Sequence, residues 1–238
     1  MSITRKKGPL YLQVKKIIKD RILHGAYPLG TNIPSEPQLE SEFNVSKMTV
    51  RNAIQELAQE GYVEKKSGVG TIVIRNTSFS KLSKGKRFTE ILVEEGHKIE
   101  KQLLHAEWME NEEQDERFQL FGAQCLKIER LYVLDGKPYI HYSHYLSSAI
   151  LPFRELDELA FQSLYELIEE SQIDISNFKD RFTVGPAPEE VERLLQIPHG
   201  KAMFKRLRSS YDVTGTIVEY SVGHYNTELQ PYLVSYDV

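Results

Sequence analysis

With 238 residues, 40% of them apolar and 27% charged, the chain is long enough for two domains and ordinary in composition for a soluble globular protein. No apolar run approaches the ~18 residues of a membrane-spanning helix; the N-terminus lacks the apolar stretch of a signal peptide, and the single Cys125 excludes an intrachain disulfide, so a cytoplasmic location is expected. The formal charge of −4 hides a split: residues 1–76 carry 12 Lys and Arg against 7 Asp and Glu, the rest 18 against 27, which points a polyanionic partner at the N-terminal third alone.

Gly8-Pro9 opens the first predicted helix, whose apolar residues Leu12, Val14, Ile17, Ile18, Ile22 and Leu23 run to Gly25. Its Lys15, Lys16, Lys19 and Arg21 are expected in solvent or near a DNA backbone. Residues 27–34 hold too much Pro and Gly for a helix and read as a turn with a short strand. Ser35 then caps a short helix through Phe43, with Leu39 and Phe43 at i,i+4 on its inner face. After the tight Asn44-Val45-Ser46 connection, Ser46 caps and Gly61 ends a second helix that buries Val50, Ala53, Ile54 and Leu57. That packing turns Lys47, Met48, Arg51, Asn52 and Gln55 outward, with Thr49 on the flank, a set suited to base edges and phosphates. Strands at 62–66 and 71–74 around Ser67-Gly68-Val69-Gly70 form a hairpin. Residues 1–75 are therefore expected to be a winged helix-turn-helix domain.

The ordered positions Pro28-Leu29-Gly30, Ile33-Pro34-Ser35-Glu36, Leu39, Phe43, Val45 to Arg51, Ala53-Ile54, Leu57, Glu60-Gly61 and Gly68-Val69-Gly70-Thr71 resemble the DNA-binding domain of the GntR family of bacterial transcriptional regulators. The resemblance implies DNA contacts from Ser46, Lys47, Thr49 and Arg51, and a wing whose Gly68 and Gly70 approach the minor groove. Ser35 and Asn52 complete the candidate DNA-binding set. Two positions depart from the pattern: Pro37, where relatives commonly have arginine, and Val69, where the wing tip commonly has a basic residue.

Residues 76–87, rich in Ser and Lys, read as a linker. Residues 88–238 are expected to form an α+β domain with a largely antiparallel sheet and packed helices. Its predicted elements are a helix at 88–96, a strand at 101–109, a helix at 112–121, and a hairpin of 126–134 with 138–146 turning at Asp135-Gly136. A helix at 163–170, a strand at 178–184, a helix at 188–195, and a hairpin of 202–211 with 216–225 complete it. This layout, with Phe88-Thr89-Glu90, Gly96, Arg130, Ser163-Leu164-Tyr165, Leu194-Leu195, Glu219-Tyr220 and Tyr225, resembles the UTRA ligand-binding domain of the HutC branch of the family, which shares its fold with chorismate lyase.

That resemblance implies a homodimer binding a palindromic operator, probed by a small-molecule effector such as a sugar phosphate. Carried over, the effector-binding positions are Phe88, Thr89, Arg130, Tyr132, Tyr142, Ser163, Tyr165, Glu219 and Tyr225. Arg130 would supply a guanidinium fork, Thr89 and Ser163 hydroxyls for an anion, and Tyr165, Glu219 and Tyr225 partners for ligand hydroxyls. Tyr132 stands where sugar-phosphate-binding relatives often have a second arginine. No catalytic set, cofactor site or metal site emerges from the residues: His141 and His144, three apart on a strand, face opposite sides, and Cys125 has no partner motif. A lyase-like enzyme carrying a DNA-binding module, and a constitutive DNA-binding dimer without effector, stay open as alternatives to an effector-controlled repressor.

Overall fold

The computed structural model describes residue 3 and residues 8–76, 88–150 and 164–232. The expected linker lies outside these residues except for Asn76. The chain divides into two compact units, Met1–Ile99 with Ser235–Val238 and Glu100–Val234.

In the first unit, α1 (Leu10–Leu23), α2 (Glu36–Phe43) and α3 (Lys47–Gln59) pack through one cluster in which Val14, Ile18, Leu39, Val50, Ala53 and Leu57 have no exposed surface. The caps follow the side-chain chemistry. Ser35 donates from its N–H and Oγ to Gln38 Oε1, each at 2.8 Å, and Ser46 Oγ accepts from the Thr49 N–H at 3.3 Å. Asn44 takes the left-handed conformation (φ 50°) that turns the chain between α2 and α3. β1 (Val63–Lys66) and β2 (Gly70–Val73) pair antiparallel, and Asn32 bridges to Ile72, which is the short strand expected near residue 32.

The α1 cations depart from expectation. Lys15 and Lys19 reach Glu60 at 2.9 and 3.3 Å, and Arg21 pairs with Glu42 and Tyr27, so these charges tie helices together inside the unit. The helix predicted at 88–96 is α4 (Phe88–Glu94), and Ile99 N–H donates to the His24 carbonyl at 3.0 Å.

The second unit is built on a six-stranded sheet in the order β3-β4-β5-β8-β7-β6. Its strands are β3 (Ile99–Glu110, whose first residue belongs to the first unit), β4 (Gln124–Leu134), β5 (Lys137–Ser147), β6 (Ile175–Pro186), β7 (Ala202–Asp212) and β8 (Ile217–Tyr225). The pairs β4·β5, β5·β8, β7·β8 and β6·β7 are antiparallel. Asp135, at φ 48°, and Gly136 make the β4–β5 turn, and the Asp212 carboxylate accepts from the Thr214 and Thr216 N–H groups to shape the β7–β8 turn. α5 covers only Glu116–Phe121, because Asp115 at φ −73°, ψ 139° is its N-cap and the predicted start at 112 is a turn. α6 (Leu164–Glu170) meets the Arg208 side of the sheet through Tyr165, and α7 (Glu189–Leu195) packs on the side of Leu131 and Val133. On α7's side, Val191 and Leu195 pack on Leu131, Val133 and Met203. Among the described residues no helix is long and apolar enough to cross a membrane.

Candidate DNA-reading surface and effector site

Packing of Val50, Ala53, Ile54 and Leu57 leaves Lys47, Met48, Arg51, Asn52 and Gln55 exposed and Thr49 half-buried. Glu36, the first residue of α2, joins this helix to the wing: its carboxylate accepts from Arg51 Nε at 2.8 Å and from Lys65 Nζ at 2.6 Å. Mainly the Lys65 hydrogen bond, then that of Arg51, holds the Glu36 carboxyl below its ordinary range. The Arg51 side chain is thus held at Nε by Glu36 while half of its surface stays exposed. Ser35 is exposed but committed to its own cap, and Ser46 Oγ lies 2.9 Å from Thr49 Oγ1. The two wing glycines differ. At Gly68 (φ 75°) a side chain would meet open space, whereas a Cβ on Gly70 (φ 125°) would come 3.0 Å from Asn32 Oδ1. Gly70 therefore makes room for Asn32, whose Nδ2 donates to the Val69 carbonyl at 3.2 Å. The groove-approach role carried over from the resemblance fits Gly68 better.

In the second unit the register decides which side chains meet. Arg130, Tyr142, Gly223, Arg206 and Phe182 lie opposite one another across β4, β5, β8, β7 and β6. The next row on the same face is Ile128, His144, Ser221, Arg208 and Asp180, and beyond it Glu219 faces Ser210. Tyr132 and Tyr225 follow on the other side. Of the sequence-predicted positions, Arg130, Tyr132, Tyr142, Glu219 and Tyr225 share this face, and Tyr165 joins them from α6 through its hydroxyl, which accepts from Arg208 at 2.8 Å. Phe88 and Thr89 begin α4, but their side chains, like the whole of Ser163, lie outside the described residues.

The face is polar and enclosed. Tyr142 and Tyr225 are buried and hydrogen-bond through their hydroxyls; burial pushes both phenols up. Tyr142 stacks on His144 at 4.9 Å and meets Tyr132 edge-on at 5.8 Å. Glu219, with 1% of its surface exposed, accepts from Ser210 and Ser221. Burial raises its carboxyl, and the two serine hydroxyls oppose that rise. At Asp180 burial also acts upward, but two hydrogen bonds from Arg208, at 2.6 and 2.7 Å, outweigh it and keep the carboxyl low. His144, held by Ser221 Oγ at 2.6 Å from Nδ1, stays neutral because burial and then Arg130 and Arg206 push it well below its ordinary value. Two residues of this face, Arg206 and Arg208, were absent from the sequence-predicted set. Their i,i+2 spacing on the strand predicted at 202–211 was the available signal, since it puts both on one side.

On the opposite face His141 lies directly across from His224, so His141 and His144 point to opposite sides of the sheet. Burial lowers His141, and burial followed by Lys205 and His141 lowers His224 to about 4. The sign is set by the unfolded chain, which takes up these protons near pH 6.5 while the folded unit refuses them until lower pH. Stability is thus full above pH 6.5 and falls as pH drops toward 4. The thermal midpoint of the second unit should decrease between pH 7 and pH 5, and His224→Leu should flatten that decrease. An unchanged slope in the variant would contradict this account. An open depression lined by Glu110, Asn111, Phe121, Ala123, Gln124 and Ser148 contains none of the residues of the polar face.

Comparison with known proteins places both units. The chain is 28% identical over 224 residues to the HTH-type transcriptional repressor NagR of Bacillus subtilis, covering 91% of this chain and 90% of that protein. It is 26% identical over 227 residues to the mannosyl-D-glycerate transport/metabolism system repressor MngR of Escherichia coli, covering 92% of each. A 72-residue match at 43% identity to the uncharacterized HTH-type regulator YdfD of Bacillus subtilis spans 30% of this chain and only 15% of that protein. Among solved structures, PhnF from Mycobacterium smegmatis superposes with a TM-score of 0.55 at 23% identity over 94% of this chain and 99% of that one, a likeness of fold. Residues 10–73 match the bacterial regulatory proteins of the gntR family, and residues 94–229, more than half of the chain, match the UTRA domain. With a winged helix-turn-helix ahead of a UTRA sheet, this chain belongs to the gntR family of bacterial regulatory proteins, in its UTRA-containing branch, and is a DNA-binding transcriptional regulator.

Proposed function

We propose that the protein is a cytoplasmic repressor that binds a two-fold operator as a homodimer and is controlled by an anionic sugar-related metabolite, a sugar phosphate or a close analogue, held on the polar face of the second unit. The observation that carries this reading is the shared face of Arg130, Tyr142, His144, Glu219 and Tyr225, where buried hydroxyls and a guanidinium line one side of a sheet. The names of the relatives NagR and MngR, both repressors and the latter of a mannosyl-D-glycerate system, support the class of ligand. In this reading the second unit is a receptor and not a catalyst. Ser46, Lys47, Thr49, Arg51 and Asn52 read the major groove, and Gly68 lets the wing approach the backbone. A single winged helix offers few contacts, so pairing two of them adds the second half-site's effective concentration. The edge strand β6, with Phe182 and Val184 exposed, is available to a second copy. Effector binding shifts operator affinity by favouring one arrangement of the DNA-binding units over another.

Calorimetric titration with sugar phosphates and with the matching unphosphorylated sugars tests this directly. Preferential binding of the phosphorylated members, together with a changed mobility shift on operator DNA, is expected; equal affinity would remove the anion from the reading.

A further inference from the structure

Among the described residues, the buried nitrogen atoms of the polar face without a hydrogen-bond partner include Arg206 Nε on β7 and His144 Nε2 on β5. Buried polar atoms are almost always satisfied, so each points to something the protein chain does not itself supply. Both lie against the same aromatic ring. The Arg206 guanidinium lies 5.7 Å from the Tyr142 centroid and His144 stacks on that ring at 4.9 Å.

The chemistry at the two atoms differs. Among the described residues, Arg206 donates from Nη1 to the Tyr232 hydroxyl at 2.7 Å and has no carboxylate as a hydrogen-bond partner. The acids that act on it are already engaged, Asp180 through both oxygens by Arg208 and Glu219 by Ser210 and Ser221. A guanidinium among aromatic neighbours with no carboxylate hydrogen-bonded to it calls for an anion. At His144 the proton count fixes the tautomer. With Glu219 ionised, Ser221 gives its one hydroxyl proton to that carboxylate, so its Oγ can only accept from His144. The imidazole proton therefore sits on Nδ1, and Nε2 presents a lone pair. Such an atom accepts a hydrogen bond from a hydroxyl and repels an oxyanion.

We propose that Arg206 and His144 form a two-point recognition element for the effector, with the Arg206 fork binding its anionic group and His144 Nε2 accepting a hydrogen bond from one of its hydroxyls. The inference rests on the effector site proposed above and narrows its ligand to an anion that also carries a hydroxyl. Glu219 and Ser221 act as positioning residues, since they set which nitrogen of His144 is the acceptor.

The test uses the full-length protein and a fixed probe set: inorganic phosphate, glucose 6-phosphate, glucosamine 6-phosphate and N-acetylglucosamine 6-phosphate. For the tightest sugar phosphate, Arg206→Met is expected to weaken binding at least ten-fold, and Arg206→Lys less than that. His144→Phe is expected to weaken the sugar phosphate about five-fold while leaving inorganic phosphate unchanged, a split that general damage to the fold would not produce. In wild-type protein labelled with 15N-arginine, a buried Nε–H resonance should move on adding the same ligand, a readout independent of how the variants fold. If wild-type protein binds none of the four probes, the effector reading itself fails. If it binds but the Arg206 variants bind equally well, or no arginine Nε–H resonance moves, the recognition element falls and the effector reading stands.

Discussion

Replacing Arg51 by alanine should abolish selective operator binding while leaving the protein folded and its effector binding intact. Arg51 projects from the exposed side of α3, where its Nε donates to Glu36. An arginine that grips a base edge through two nitrogens contributes about 1–3 kcal/mol of discrimination, and the proposed two-fold complex would use it twice. The loss should be on the order of a hundred-fold or more in affinity for the best sequence drawn from a random DNA pool, measured by fluorescence anisotropy. Stability should hardly change, since a largely exposed ion pair is worth about 0–1 kcal/mol. Wild-type affinity in the variant would remove Arg51 from the base-reading set.

The second large effect is expected at Gly223. A Cβ there would sit 2.5 Å from Tyr142 Cε1, 2.9 Å from Tyr142 Cζ and 3.0 Å from Tyr225 Cε2. Tyr142 has nowhere to retreat: His144 stacks against it, Tyr132 and Tyr225 meet it edge-on, and Arg206 lies over it. Gly223→Ala should therefore cost about 1–3 kcal/mol through overpacking, break the Tyr142–Tyr225 hydroxyl contact, and blunt the response of operator binding to ligand. The first unit should keep its DNA affinity. Scanning calorimetry and an effector-dependent mobility shift would read both consequences, and a variant that unfolds and responds like wild type would refute the packing argument.

Much of the first unit is legible in the sequence because its signals are local. The stripe of Val50, Ala53, Ile54 and Leu57, the Ser46 cap and Gly61 at φ 73° each act within a few residues, and together they fix which side of α3 faces out. The hairpins are similarly announced by Asp135-Gly136 and by the turn at Asp212 to Gly215. What local pattern does not reveal is how α1's lysines find Glu60, 41 and 45 residues further along. The effector face is less legible for the same reason. Arg130 and Arg206 share it only because four strands hold one register, interrupted by irregularities at Tyr132/Val133 and Ser210/Tyr211. A single extra residue before either arginine would send it to the other side. His144 and Ser221 carry no motif at all; their relation to Glu219 exists only after the sheet has formed.

The internal pairing of Lys15 and Lys19 with Glu60, and of Arg51 and Lys65 with Glu36, bears on how the protein searches a genome. Contacts with random sequence draw mainly on cations that displace condensed counterions, and these four already have acidic neighbours. Contacts with non-cognate duplex are therefore expected to be short-lived, because displacing its counterions would first require these ion pairs to open.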